Sequence, residues 1–424
     1  KVQRGCGNRD EFFKSLIWLK NNKPDLLYKN LWLLPQIGSW RDLWTFSPVT
    51  KLDADLDLDH VFSMIKAGLV SKDSRALIAK YLPKIRTGKA FKYTDRHRKL
   101  NNFARQFCKY MGWTEKEYRQ FKSNPENCAH LWQRQMSANE WQDIDFNKIP
   151  GKALFNLVSR TGKDKLSTLQ RHQLEEKYIE WIKTKPVAKF TGYVYELYNA
   201  AKKDTRNLAQ RYTYNAQFNQ LLETAKSDIN PELLEKGVLC ALDTSGSMES
   251  NYWGNCFTEN NLAPIDICVG LGIFFSKFLK GKFADNVIMF DNKSRLVKLQ
   301  GEFCDRVDQI KNEATAWGGT NFQSVIDEIV RVRRQNPDIP VEDYPQILLV
   351  VSDMAMNIAE YTNTETNYET AMKKLAKVGL PKMTIIWWQV SGGKTTDFPS
   401  TLDDEGTVLI SGFDPSIVTA VLGT

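Results

Sequence analysis

Across residues 231–424, short runs that are apolar at nearly every position alternate with helical patterns, and few folds accommodate that alternation. Val238-Leu239-Cys240-Ala241-Leu242 and Ile347-Leu348-Leu349-Val350-Val351 carry no charged or amide side chain. A strand with one wet face alternates apolar with polar, whereas a continuously apolar strand is covered on both faces, as in a parallel sheet flanked by helices. The pattern places strands near 237–243, 285–290, 295–299, 346–352, 383–390 and 406–410. Helices are expected near 264–280, 302–312, 321–335, 365–378 and 414–422. This half is therefore read as α/β, a doubly wound and mostly parallel sheet. Ligands of such sheets bind beyond the carboxyl ends of the strands, at the point where the strand order reverses.

The first apolar run breaks abruptly into Asp243-Thr244-Ser245-Gly246-Ser247. Asp243, Ser245 and Ser247 lie two residues apart, so a loop leaving an extended strand can turn all three oxygens to one point. Alone, the pattern is also ordinary turn and helix-cap chemistry. Two later loops add to it. Trp317-Gly318-Gly319-Thr320-Asn321 opens a helical pattern, and the Ile347 run ends in Ser352-Asp353. Carboxylate and hydroxyl oxygens are hard ligands suited to Mg²⁺.

Together these residues resemble a von Willebrand factor A domain, whose metal-ion-dependent adhesion site joins Asp-x-Ser-x-Ser to a Thr and an Asp from two later loops. The resemblance implies that Asp243, Ser245, Ser247, Thr320 and Asp353 surround one divalent cation. That cation is Mg²⁺, or another such as Mn²⁺ or Ca²⁺, and an acidic group of a protein partner would fill its open position. The competing reading is a metal-free doubly wound domain with polar strand ends. One departure is the aromatic-bearing stretch 249–263, since many relatives begin the next helix sooner. It would either cap the site or pack against the helical half.

Residues 1–230 read as all-helical, with apolar positions near a 3.6-residue repeat and short Pro, Gly, Asn or Asp breaks. Stretches are expected at 10–20, from Pro24, and near 60–70, 74–82, 98–111, 114–122, 127–136, 165–183, 190–202 and 205–225. Paired helices stacked as a solenoid suit this pattern, with a compact bundle as the alternative. The net charge of +8 is uneven, at about +17 for residues 1–230 and −9 for 231–424. Such asymmetry points to a polyanion partner for the first part.

The opening adds a second resemblance. Arg4-Gly5-Cys6-Gly7-Asn8-Arg9-Asp10-Glu11-Phe12-Phe13, Leu16-Ile17-Trp18-Leu19 and Leu34-Pro35-Gln36-Ile37-Gly38-Ser39-Trp40-Arg41-Asp42-Leu43 are similar to the start of the TROVE module of Ro autoantigen proteins. A related group is known from viruses, plants and fungi. The resemblance implies a helical domain at 1–230, built of HEAT-like pairs that form a ring in Ro proteins, followed by an A domain at 231–424. It also implies binding of structured or single-stranded RNA.

The densest basic run holds Lys84, Arg86, Lys89, Lys92, Arg96, Arg98, Lys99, Arg105 and Lys109 against one acid, Asp95. Phe91, Tyr93, His97, Phe103 and Phe107 interleave with it. Cations neutralise phosphates and release counterions, and exposed aromatics stack on unpaired bases. The plainer reading of each residue is a wet helix face over core aromatics. Lys183, Lys185, Lys189, Lys202, Lys203, Arg206 and Arg211 are a second group that would extend the surface.

Other signals point elsewhere. Asp53, Asp55, Asp57 and Asp59 lack the Gly and terminal Glu of a calcium loop, with Leu58 and Met64 in those places, and read as helix-start charge. Cys128 and His130 lack a second pair for zinc. Seven cysteines without a Cys-x-x-Cys pair favour reduced thiols and an intracellular or virion-associated setting. No stretch reaches the roughly 20 apolar residues of a membrane span. The chain opens on Lys1 rather than Met, which leaves room for a short leader. The expected function is a non-enzymatic ribonucleoprotein component with a metal-dependent contact. The alternative is a protein-interaction or assembly module, as in a virion or multiprotein machine, and nothing poised beside the ligand loops supports a hydrolase.

Overall fold

The computed structural model describes residues 9–44, 56–86, 94–124, 127, 132–185, 188, 190, 192–203, 206–226, 235–249, 262–313, 319–354, 366–390 and 405–412. Packing divides the chain into two units, 1–148 and 149–424.

Among its described residues the first unit is helical: α1 (Arg9–Asn22), α2 (Pro24–Lys29), α3 (Leu34–Ile37), α4 (Leu58–Gly68), α5 (Lys72–Tyr81), α6 (Asp95–Met111), α7 (Glu115–Ser123) and α8 (Trp132–Ser137). Pro24 stands in the first turn of α2, where its missing N–H is no loss. Asp57 caps α4 by accepting from the Asp59 amide at 3.1 Å, as expected of helix-start charge. Asp53 and Asp55 lie outside the described residues. Phe13, Leu31, Phe62, Ile65, Phe103, Phe107 and Tyr118 belong to one buried core.

Among its described residues the second unit opens with the helices α9 (Gly151–Ser159), α10 (Thr168–Arg171), α11 (Glu175–Lys183), α12 (Val194–Ala201) and α13 (Leu208–Lys226). Helix α9 is absent from the expected set, although Pro150-Gly151 punctuates its start. The expected helix at 165–183 breaks into two at Gln173, whose φ is +56°.

A six-stranded sheet follows, formed by β1 (Val238–Asp243), β2 (Asn286–Phe290), β3 (Ser294–Lys298), β4 (Ile347–Ser352), β5 (Thr384–Gln389) and β6 (Thr407–Ser411). The order is β3-β2-β1-β4-β5-β6. Only the β2–β3 pair is antiparallel. Every strand falls within about one residue of its expected span. The covering helices are α14 (Gly246–Glu249), α15 (Pro264–Ser276), α16 (Phe303–Glu313), α17 (Phe322–Gln335) and α18 (Asn367–Ala376). The helix expected at 414–422 lies outside the described residues.

Both faces of the sheet are dry along β2, β1, β4 and β5, as their apolar runs require. Val238, Cys240 and Leu242 join the core that includes α15 and α16. Leu239 and Ala241 join the opposite core with α17 and α18. Helix α15 is buried at every position but Ile265, because α12 packs along the side that turns away from the sheet and Phe218 of α13 meets Phe274 edge-on. Gly270 permits the close crossing of α12: a Cβ there would lie 3.1 Å from Tyr195 Cα. Phe218 of α13 stacks on Phe303 of α16 at 4.5 Å. Ion pairs border these contacts, Lys202 with Asp266 at 2.5 Å and Arg211 with Asp305 at 2.6 Å, and Arg206 pairs with Asp308.

Residues 151–226 therefore pack with the sheet. The described helices run to Lys226 and the first strand begins at Val238, while the break in packing comes at 148/149. Apolar surface sets that break. Tyr195, Leu197, Tyr198, Phe218 and Leu222 are all buried in the sheet's core. At about 1.5–3 kcal/mol for each large apolar side chain, they contribute on the order of 10 kcal/mol, comparable to the stability of a whole domain.

Candidate metal centre and basic helix face

Leu242 stands opposite Val351 in the parallel β1–β4 pair, which sets Asp243 and Ser352 side by side where those strands end. The strand order reverses between β1 and β4, so this is the switch point at which such sheets bind ligands. Ser352 Oγ donates to Asp243 Oδ2 at 2.5 Å, and the Ser245 amide donates to Oδ1 at 2.9 Å. Ser245 Oγ and Ser247 Oγ lie 3.2 Å apart. The third loop is tied to the neighbouring strand end: the Asn321 amide donates to Asp291 O at 2.9 Å, and the Gly319 amide to Asn292 Oδ1 at 2.8 Å. Thr320 between them is buried. The first loop reaches the same strand, through the Thr244 amide to Phe290 O at 2.9 Å. All three loops thus meet one end of the sheet.

Asp243 is fully buried, and Asp353 is nearly so. Burial pushes the Asp243 carboxyl up to about 6, and the Asp353 charge pushes the same way against the bonds from Ser352 and Ser245. A cation between the loops would relieve this cost, and two carboxylates with three hydroxyls form a hard-oxygen donor set that fits Mg²⁺. Among the described residues, no three His, Cys, Asp or Glu side chains gather as a metal cluster, so any centre here depends on the hydroxyls.

Sequence reasoning missed two neighbours of the site. Ser352 was legible as the one polar side chain closing an apolar run. Cys268 gave no signal; its thiol lies beneath the site, 3.3 Å from Val351 O, and burial pushes its pKa far up. The aromatic stretch before Pro264 falls almost wholly outside the described residues.

In the first unit, Lys84 and Arg86 are exposed ahead of α6, and Arg98, Lys99, Arg105 and Lys109 are exposed along it. Spacings of seven and eleven residues bring Arg98, Arg105 and Lys109 onto one helix face. Lys89, Lys92 and the Arg96 side chain lie outside the described residues. Arg98 pairs with Asp95 at 3.0 Å and Arg105 with Glu115 at 2.9 Å, both on the surface. Such pairs contribute about 0–1 kcal/mol and exchange readily for another anion.

The stacking role expected of the interleaved aromatics is corrected for two of them. Phe103 and Phe107 are core residues, because they fall on the face of α6 opposite the basic one. Phe91 and Tyr93 lie outside the described residues. His97 is engaged at the helix start, 2.9 Å from Thr94 Oγ1. The second basic group does not extend this surface as a set, since Lys202, Arg206 and Arg211 are held by acids of α15 and α16.

Residues 238–424 match the family described as a domain of unknown function, DUF7788. The DUF7788 region begins on β1 and takes in all three loops of the candidate centre. An uncharacterized protein of Acanthamoeba polyphaga mimivirus is 23% identical over 327 residues, covering 74% of this chain and 53% of that protein. The chain therefore spans about half the length of this curated relative, and its relatives include a viral protein, as the Ro resemblance implied. A solved structure, the Ro (RSR) protein of Deinococcus radiodurans, is similar over 99% of this chain and 88% of that one, at 14% identity and a TM-score of 0.45. Among the described residues no helix is long and apolar enough to cross a membrane.

Proposed function

We propose that this protein is a non-enzymatic RNA-holding component, with phosphates bound on the basic face of α6 and Mg²⁺ at the DUF7788 loops offering a contact to an acidic group of a partner. The observation that carries the RNA reading is the one-sidedness of α6, with Arg98, Arg105 and Lys109 outward and Phe103 and Phe107 in the core. The unit that bears this helix holds 27 Lys and Arg against 16 Asp and Glu, a net charge of +11. The remaining residues carry a net charge of −3, so the chain's net positive charge comes from the first unit. Phosphate binding by such a face falls steeply with salt. Titration of a single-stranded RNA against the full chain at several salt concentrations tests it, and salt-insensitive binding or none rejects it.

A second reading, an assembly module without RNA function, is favoured by a different observation: the buried Asp243 carboxylate amid hydroxyls at the switch point. Under that reading Asp243→Ala abolishes capture of a partner, and charge reversal on α6 changes nothing.

A further inference from the structure

We propose that the first unit contains a preformed pocket for a nucleotide bearing a terminal phosphate, free or at the end of an RNA strand. A cavity of about 550 Å³ opens between the end of α5 and the start of α6. Arg41, Lys84, Arg86 and His97 line it, and none of its described lining residues is acidic. Tyr81, Pro83 and Leu100 supply an apolar wall.

The described lining is braced on two sides. Asn101, itself buried, donates to Arg86 O and accepts from the Arg86 amide, both at 3.0 Å, which fixes that residue against α6. Helix α7 supports the opposite wall: Tyr118 Oη donates to Pro83 O at 2.7 Å, and Lys122 Nζ to Ala79 O at 2.7 Å and to Leu82 O. A lining held in place loses little order on binding.

Size and charge define the ligand. A bare phosphate occupies a small part of such a cavity, whereas a nucleotide brings a flat ring for the apolar wall and an anion for the cations. A phosphomonoester carries close to two charges at neutral pH and a backbone diester carries one, so several cations in one cavity favour the terminal group. Where the nucleotide ends a strand, the inference rests on the RNA reading; where it is free, it stands apart from that reading.

The test compares a short single-stranded RNA with a 5′-phosphate and the same strand with a 5′-hydroxyl, by fluorescence anisotropy on the full chain. Calorimetry with uridine monophosphate and with uridine forms the second arm. Charge-assisted contacts to the terminal phosphate predict about tenfold tighter binding of the phosphorylated strand. Lys84→Ala with Arg86→Ala erases that ratio and leaves the hydroxyl strand bound. Arg105→Ala with Lys109→Ala weakens both strands and preserves the ratio. Equal binding of the two strands overturns the pocket and leaves the RNA reading intact. If no strand binds but the monophosphate does, and the Lys84/Arg86 variant loses it, the pocket stands and the RNA reading falls. If neither strand nor monophosphate binds, both fall.

Discussion

Ser352 Oγ lies 2.5 Å from Asp243 Oδ2, a hydrogen bond between the last polar side chains of two adjacent parallel strands. Because the Ser245 amide holds the other carboxylate oxygen, Asp243 is fixed from both sides without a cationic partner in either bond. This makes Asp243 the residue through which the metal reading is most directly tested.

A divalent ion that binds only the folded state at a hundredfold excess over its dissociation constant stabilises by about 2.7 kcal/mol. In a unit of this size that raises Tm by roughly 5–10 °C. Scanning fluorimetry should show the rise with Mg²⁺ in the wild-type chain and none in Asp243→Ala. Ser352→Ala should retain the rise but need about 10- to 100-fold more Mg²⁺, as expected of a residue that orients a ligand. Unchanged melting of the wild-type chain with Mg²⁺, Mn²⁺ and Ca²⁺ alike would remove the metal from the account.

Phe218 stacks on Phe303 in the core that joins α13 to α16. Phe218→Ala should cost about 3–5 kcal/mol, read by urea unfolding. A chain of residues 149–424 should unfold cooperatively, whereas one of residues 231–424 exposes the outer side of α15 and should bind hydrophobic dyes or aggregate. Equal stability of the two chains would contradict the packing boundary.

Glu328 of α17 accepts from the Leu296 amide at 2.9 Å and from Arg331 at 2.6 and 2.7 Å. The Arg331 bonds, with help from the Leu296 amide, hold its carboxyl below the usual range against a burial cost. A lowered carboxyl stabilises the fold above its unfolded pKa and loses that contribution as pH falls through its folded value. Glu328→Gln should therefore cost about 1–3 kcal/mol at pH 7, and the gap from wild type should close in the acid range below the ordinary Glu value of about 4.3. A gap independent of pH would assign the loss to packing.

Charge reversal at Arg98, Arg105 and Lys109 should weaken RNA binding at low salt and flatten its dependence on log salt by about 0.7 for each phosphate that is no longer neutralised. Reversal at Lys163, Lys165 and Lys203, exposed and outside the described ion pairs of the second unit, changes net charge equally, serves as the control and should leave the slope unchanged. Equal effects from both would mean that net charge, rather than the α6 face, holds the RNA.

The four inner strands were legible because each had to be dry on both faces, which writes a continuous apolar run into the chain; the edge strands β3 and β6 are partly exposed and carry only a short apolar stretch. The Asp243 and Asp353 loops stood out for the same reason, since a polar oxygen where such a run ends is conspicuous, whereas the Thr320 loop precedes a helix and entered through the resemblance to an A domain. Helix α15 carried a signal that sequence reasoning passed over. Its residues are apolar on all sides apart from Asp266 and the terminal Ser276, and a helix of that kind needs cover beyond the sheet. That cover comes from α12, itself backed by α13, which is why the packing boundary precedes the change in secondary structure. The aromatics among the basic residues of α6 were ambiguous, because an outward and an inward aromatic look alike until helix phase is fixed by a neighbour.

The sequence by itself determined the parallel sheet, the order of its helices, the identity of the oxygen-bearing loops and the positive charge of the first part, because each depends on local periodicity or composition. The tertiary structure decided that residues 151–226 pack with the sheet, that Arg206 and Arg211 are held by acids roughly a hundred residues away, and that Ser352 grips Asp243. Those outcomes depend on which surfaces meet across long separations, and pairwise burial and charge compensation of that kind leave no periodic trace along the chain.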